Sequence, residues 1–369
     1  MDMSPAAPPL SSQISTLSRH QLETTLQSVH SELLTLSPNS SVVPDQVSLQ
    51  RTPSKRNYST AATASSAFSP SANLTSNLTS TASSHSWNTA FQTSLLSSSP
   101  TALSTTIADF AATASKYAVL LIAESHLPLT QRTYTPLLAA GGLAGGLKYL
   151  IHGILFKFAL NVSGIYSSDA EACTAAGHEI KGMNALQCAV VSTDTSKYYK
   201  ATRDELTPLH FPLQIVIDFL GHRLIATSLL PTSHDTLKAG ISSPSQLALP
   251  HPLPSGLTDP PLLRTLTHAS AALNLLPHHI GSHATLISHC ADLEAHRGHD
   301  NRVYVLDTAR VLPPAHATSS RTPASHLTQL LRVEFVRRWT APLSADALSR
   351  FTVIGERQRE MQGVVAATR

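Results

Sequence analysis

The pattern of apolar and polar positions changes near residue 107. Residues 1–106 contain 42 serines and threonines among many alanines and prolines, and such a composition offers too little apolar surface to offset the entropy lost on folding. We therefore predict a disordered, low-complexity tail over residues 1–106. Within it, residues 14–36 place leucine and valine at roughly helical spacing, which predicts an amphipathic helix that is transient or docks on a partner.

From Ile107 onward, helical and strand-like patterns alternate. Five helices are predicted from apolar spacing and capping residues: Ile107–Glu124, Asp169–Gly177, Leu262–Leu276, His326–Trp339 and Ser344–Phe351. Strand patterns predict two hairpins, one over Leu213–Leu230 and one within Ser288–Pro314. Helices mixed with hairpins, without regular βαβ alternation, predict a single α+β domain over residues 107–352.

Two segments of this domain are predicted to be irregular, as is the end of the chain. Residues 241–262 are rich in proline and serine and predict a long surface loop, while residues 353–369 are taken as a C-terminal tail. Gly141 and Gly146 have the spacing of a phosphate-binding loop, but Tyr149 stands where that motif needs Ser or Thr. We predict instead a glycine loop that leads into a packed helix.

Composition narrows the function classes only a little. The net charge of +3 is too mild to indicate nucleic acid by itself. Three cysteines without a CxxC pair favour reduced thiols and a cytoplasmic protein. No run approaches the ~18 apolar residues of a membrane helix, and no secretory signal or cofactor motif is present. We expect no membrane insertion and no cofactor.

The segment Ser288–Pro314 concentrates acidic and histidine side chains. A metal-dependent or kinase-like enzyme would centre on one set of four residues: Asp292, Glu294, His296 and Asp307. The first three alternate, so on a strand they would share one face. The favoured alternative is a polar face pinned by cross-strand pairs to Arg297, Arg302 or Arg310.

Basic side chains lie beside aromatic ones in two patches, a combination that suits single-stranded nucleic acid. The candidate RNA-binding residues are Lys197, Tyr198, Tyr199, Lys200 and Arg203 in the first patch and Arg332, Arg337, Arg338 and Trp339 in the second. Solvated charge beside core aromatic residues explains both patches equally well.

Four segments taken together resemble a known family. The segments "GGLKYLIHGILFKFALN", "IVIDFLGHRLIATSLLP", "ADLEAHRGHDNRVYVLDTARVLPP" and "HLTQLLRVEFVRR" occur in the order of the clustered mitochondria (CLU) domain. The likeness extends from Ile107 to about Phe351. Ala295 and Asn301 stand where the family usually has glycine, and Ala315 and Val333 replace its usual glutamate and proline.

The resemblance implies a non-enzymatic cytoplasmic protein, possibly near mitochondria. Family members keep mitochondria distributed, bind messenger RNAs of nuclear-encoded mitochondrial proteins and associate with translation machinery. In the family the D-x-E-x-H and LD-x-AR motifs mark the fold, without an established catalytic role. The ubiquitin-like region and the tetratricopeptide repeats of full-length members have no counterpart in this sequence. A protein-interaction scaffold without RNA therefore stays open as an alternative.

Overall fold

The computed structural model describes most of the chain beyond residue 85. The described residues are 86–97, 99–137, 146–162, 164–194, 206–240, 259–281, 284–316, 324–349 and 351–368. The described α-helices are α1 (Trp87–Leu96), α2 (Pro100–Ala123), α3 (Asp169–Asp194), α4 (Pro260–Ala272), α5 (Ser325–Thr328), α6 (Val333–Arg338) and α7 (Ile354–Thr368). The tail helix predicted over residues 14–36 lies outside the described residues.

The strands form three sheets, which together with the helices make an α+β fold. The described strands are β1 (Lys148–Ile151), β2 (Ile154–Phe158), β3 (Leu209–His210), β4 (Gln214–Phe219), β5 (His222–Ser228), β6 (Leu237–Ala239), β7 (His278–Ile280), β8 (Thr285–Ile287), β9 (Glu294–Arg297) and β10 (Val303–Leu306). The first sheet has the order β1-β2-β5-β4, the second β3-β10-β9-β6, and β7 pairs with β8. All pairings are antiparallel except that of β10 with β3.

The first sheet is covered by α1 and α2. Alternating burial along β2 points Ile154, Phe156 and Phe158 to one face, where they join a core with Phe110 and Ala114 of α2. Each of these large side chains contributes about 1.5–3 kcal/mol through burial. The β4–β5 hairpin forms as predicted, with Leu220 and Gly221 at positive φ in its turn.

The domain begins earlier than its predicted boundary at residue 107. Residues 87–96 and 100–106 are helical, so the prediction of a disordered tail is wrong for them. Polar contacts hold α1 in place: the Asn88 amide donates to the Tyr304 hydroxyl at 2.8 Å, and the Gln92 amide donates to the Phe211 carbonyl oxygen at 2.9 Å. Because these partners lie more than a hundred residues away, the Ser/Thr-rich composition gave no sign of them.

A second core lies between α3, α4 and the second sheet. Leu186 of α3, Leu266 of α4 and Val305 of β10 belong to it. The α3 backbone approaches the 3₁₀ turn Thr308–Arg310 so closely that a Cβ on Gly182 would lie 1.8 Å from the Thr308 carbonyl oxygen. Only glycine fits at this crossing.

Two predictions around α3 are wrong. The helix begins as predicted, with the Ser168 hydroxyl accepting from the Glu171 amide, but it continues through Gly177 to Asp194. Gly177 makes room for the Arg223 side chain, which donates to the Cys173 carbonyl oxygen at 2.8 Å. Gly146 is followed by the β1–β2 hairpin and not by a helix, since alternate residues of β1 and β2 pack into the first core.

The C-terminal region also differs from its prediction. The helix expected over residues 326–339 is divided into α5 and α6, because Leu330 between them bridges to Pro314. Residues 345–348 form turns and not a helix, and the predicted tail contains α7. Helix α4 starts at Pro260, inside the predicted loop 241–262, whose residues 241–258 lie outside the described ones.

Helix α2 is long and apolar enough to cross a membrane by length and composition alone. This result differs from the expectation that no segment meets that test, although a core helix of a folded domain meets it equally well. Phe110, Ala114, Ala118 and Leu121 of α2 are buried against the first sheet. The helix is thus accounted for as a core element.

Candidate functional site

The segment Ser288–Pro314 folds around the predicted β9–β10 hairpin. Asn301 sits in its turn with a φ of 64°, as expected for an asparagine in place of the family's glycine, because asparagine tolerates the left-handed region. The Asp300 carboxylate accepts from the Tyr304 hydroxyl at 2.7 Å, and Arg302 donates to the same carboxylate at 3.1 Å. These contacts fix the hairpin and leave its acidic residues to be examined one by one.

Of the three alternating residues, only Glu294 and His296 share the strand. Their side chains meet at 3.0 Å through the His296 Nε2 atom, while its Nδ1 atom contacts the Thr236 hydroxyl at 3.1 Å. Asp292 precedes β9 in a turn, where its carboxylate accepts from Arg310 at 3.2 Å. The expectation that all three project from one strand face is therefore wrong.

Asp307 follows β10 with a φ of 53°, in the left-handed region. Its side chain retains contact with solvent, although protein atoms surround it on most sides. Burial, followed by the charges of Glu179 and Glu294, raises the pKa of Asp307 to about 7. Glu179 of α3 accepts from the Thr308 amide at 2.9 Å, so this acidic pair joins α3 to the end of the hairpin.

These carboxylates do not assemble into a ligand cage. Over the described ranges, no group of three or more His, Cys, Asp and Glu side chains is placed to hold a metal ion. Asp292, Glu294 and His296 each have a protein partner instead. The favoured alternative is confirmed for Arg310, which pairs with Asp292, whereas Arg297 pairs with Asp259 and Arg302 with Asp300.

A buried charge network extends from this hairpin into the C-terminal region. At its centre the Asp346 carboxylate, with no exposed side-chain surface, accepts from Arg310, from His278 Nε2 at 2.9 Å and from the Ala291 amide at 2.8 Å. The Arg310 guanidinium also lies 4.9 Å from the centre of the Phe351 ring. We call Asp346, Arg310, His278 and Asp292 the Asp346 network.

The electrostatics of the network follow from burial opposed by pairing. Burial alone would raise the pKa of Asp346, but Arg310 and His278 hold it below its ordinary value. Burial would lower the pKa of His278, but its bond to Asp346 raises it. Burial raises the pKa of Asp292 despite the opposing charge of Arg310. Since every charge has a partner, the network is suited to holding segments together.

The second predicted basic and aromatic patch is a surface. Val336 anchors α6 in the core, while the side chains around it are exposed. We call the following five residues the α6 surface: Arg332, Phe335, Arg337, Arg338 and Trp339. The Phe335 and Trp339 rings stack with centroids 5.2 Å apart and an interplanar angle of 30°.

The charges of the α6 surface are nearly free. Arg332 has a single long contact to Glu334, at 3.7 Å and with both side chains highly exposed, which is worth little in water. Arg337 and Arg338 make no ion pair or side-chain hydrogen bond with any described residue. The alternative that this patch is solvated charge beside a core aromatic is incomplete, because Phe335 is 37% exposed.

The first patch cannot be placed. Lys197, Tyr198, Tyr199, Lys200 and Arg203 lie outside the described residues. The sequence-based reasoning missed the residues that most strongly organise the hairpin, namely Glu179, His278 and Asp346. Asp346 had one available signal: an acidic residue between apolar positions of "PLSADALSRF", which indicates either a cap or a buried partner for a distant cation.

The model of the clustered mitochondria (CLU) family matches residues 86–317, well over half of the chain. The chain belongs to this family. No curated protein and no solved structure matches it. The start of the match coincides with the start of α1, in agreement with the earlier domain boundary. Membership in the family suggests a role in the distribution of mitochondria.

Proposed function

We propose that this member of the clustered mitochondria family is a non-enzymatic binding module that holds single-stranded RNA on the α6 surface. In this proposal it acts in the cytoplasm near mitochondria, on messenger RNAs of nuclear-encoded mitochondrial proteins or with translation machinery. The observation that carries the proposal is the exposed Phe335–Trp339 stack beside three arginines that have almost no protein partners.

The chemistry of the α6 surface supports single strands over duplexes. Unpaired bases stack on aromatic faces, and each stacked base contributes about 1–3 kcal/mol. The two rings are too close together to admit a base between them, since a base needs roughly 7 Å between flanking ring planes. Bases would therefore stack on the outer faces, and the arginines would contact the flanking phosphates.

The test is RNA binding by the full-length chain. Crosslinking followed by sequencing identifies the bound transcripts, and enrichment of those for mitochondrial proteins is the expected result. Fluorescence anisotropy with a labelled single-stranded RNA then gives the affinity at several salt concentrations. Arg337→Ala combined with Arg338→Ala is expected to weaken binding and to reduce the slope of log K against log salt by about 0.7 per lost phosphate contact.

A matched control removes the same charge elsewhere. Lys181 on α3 and Arg359 on α7 are exposed, so Lys181→Ala combined with Arg359→Ala changes the net charge equally without touching the α6 surface. If both double variants lose the same affinity, only overall charge matters and the α6 surface is not the site. RNA binding no stronger than background would favour the protein scaffold.

A further inference from the structure

Asn274 occupies the position just after α4, where the backbone turns back on itself. Its φ is 59°. Its amide donates to the Ala271 carbonyl oxygen at 3.0 Å, and the Leu275 amide donates to the Ser270 carbonyl oxygen at 2.9 Å. This is a Schellman motif, in which the left-handed residue is usually glycine and sometimes asparagine. The backbone therefore needs a residue that tolerates positive φ, but it does not need a side chain.

The Asn274 side chain nevertheless has partners. Its Nδ2 atom donates to the carbonyl oxygens of Val336 and Trp339, both at 2.9 Å, with a longer contact of 3.5 Å to that of Ala341. These carbonyl groups lie at the C-terminal end of α6, where helices leave acceptors unsatisfied. One amide group thus fixes the end of the helix and the backbone of Trp339.

The rest of α6 is weakly held. The helix has six residues, too few to be stable by itself, and Val336 is its buried side chain. The relative placement of the Phe335 and Trp339 rings therefore depends on where the backbone at residue 339 is held. A surface that must be ordered during binding loses affinity to the cost of ordering.

We infer that Asn274 is a positioning residue, which preorganises the α6 surface for unpaired RNA bases through its side-chain amide. The inference rests on the proposed function. It adds a contribution from α4, a helix that does not itself carry the α6 surface. Asn274 touches no ligand in this scheme and acts through Trp339.

The test is Asn274→Gly, which keeps the turn and removes the amide. The matched control is Asn301→Gly, the same change at the positive-φ position of the β9–β10 turn, far along the chain from α6. Hydrogen exchange of residues 332–342 is measured without RNA, and affinity for a labelled single-stranded oligouridine is measured with it. Asn274→Gly is expected to speed exchange in that segment and to weaken affinity about three- to tenfold, with the salt slope unchanged because every arginine remains.

The outcomes separate the two proposals. Exchange and affinity equal to those of Asn301→Gly would overturn the role of Asn274. Faster exchange with unchanged affinity would also overturn it, since the amide would then order the segment without serving binding. If the wild-type chain binds no RNA, the proposed function fails and the positioning role for RNA fails with it, while the exchange still decides whether Asn274 orders α6.

Discussion

The Asp346 network and the α6 surface use the same kinds of charged side chain in opposite ways. Arg310 is buried and meets two carboxylates and an aromatic ring, whereas Arg337 and Arg338 are exposed and meet no charged partner among the described residues. A buried charge without a partner is costly, so its pairing is a requirement of the fold. An exposed charge has no such requirement and is available to a ligand.

The comparison also separates the two interpretations of the acidic hairpin. The residues that looked most like an active site in sequence, Asp292 and His296, are engaged with protein partners. The residues available to a partner lie instead on a short helix beyond the matched part of the family, which ends at residue 317. The density of reactive residue types in a sequence therefore says less about binding than their exposure does.

The largest expected effect breaks the buried side of the comparison. Asp346→Asn leaves Arg310 with a single carboxylate and is expected to lower the free energy of unfolding by about 3–5 kcal/mol. Urea unfolding measures it. The control is Asp218→Asn, which breaks the half-exposed pair with Arg223 and should cost no more than about 1 kcal/mol. Equal losses for the two variants would show that burial of the pair does not matter.

A smaller effect breaks the exposed side. Phe335→Ala removes a ring from the α6 surface and is expected to weaken single-stranded RNA binding by about 1–3 kcal/mol. The salt slope should stay the same because no cation is lost, and stability should change by about 0.5 kcal/mol at most. Leu286→Ala, at an exposed apolar position of β8, is the control. A loss of stability as large as the loss of affinity would return Phe335 to the core.

The smallest effect concerns Asp307, which lies between the two extremes because it is crowded yet still reached by solvent. Its raised pKa means that the folded state binds the proton more tightly than the unfolded chain, whose aspartates titrate near ~3.9. The free energy of unfolding should therefore fall as pH rises from about 4 to 7. Asp307→Asn stays neutral and tolerates positive φ.

Urea unfolding at several pH values tests this expectation. At pH 8 the variant should be more stable than the wild type by about 1 kcal/mol, a value reduced for solvent screening of the side chain. At pH 4 the two proteins should be equally stable, since Asp307 is then protonated in the folded state. A difference that is the same at both pH values would mean that the carboxylate charge is not responsible.

Local signals account for what could be predicted of the site. The β9–β10 hairpin, the turn at Asn301 and the exposed arginines of the α6 surface each depend on neighbouring residues. Asp346 and Asn274 could not be assigned from sequence, because their partners lie tens of residues away and are of ordinary type. His278, for example, is 68 residues from Asp346.

The sequence by itself determined the α+β class, the β4–β5 and β9–β10 hairpins, the start of α3 and the resemblance to the clustered mitochondria family. Alternation and turn or capping residues act over a few positions, so a short window contains their whole cause. The tertiary structure decided that α1 is ordered, that α3 passes Gly177 and that α7 exists. Each of these depends on a distant partner, such as Tyr304 for Asn88, and only folding brings such partners within reach.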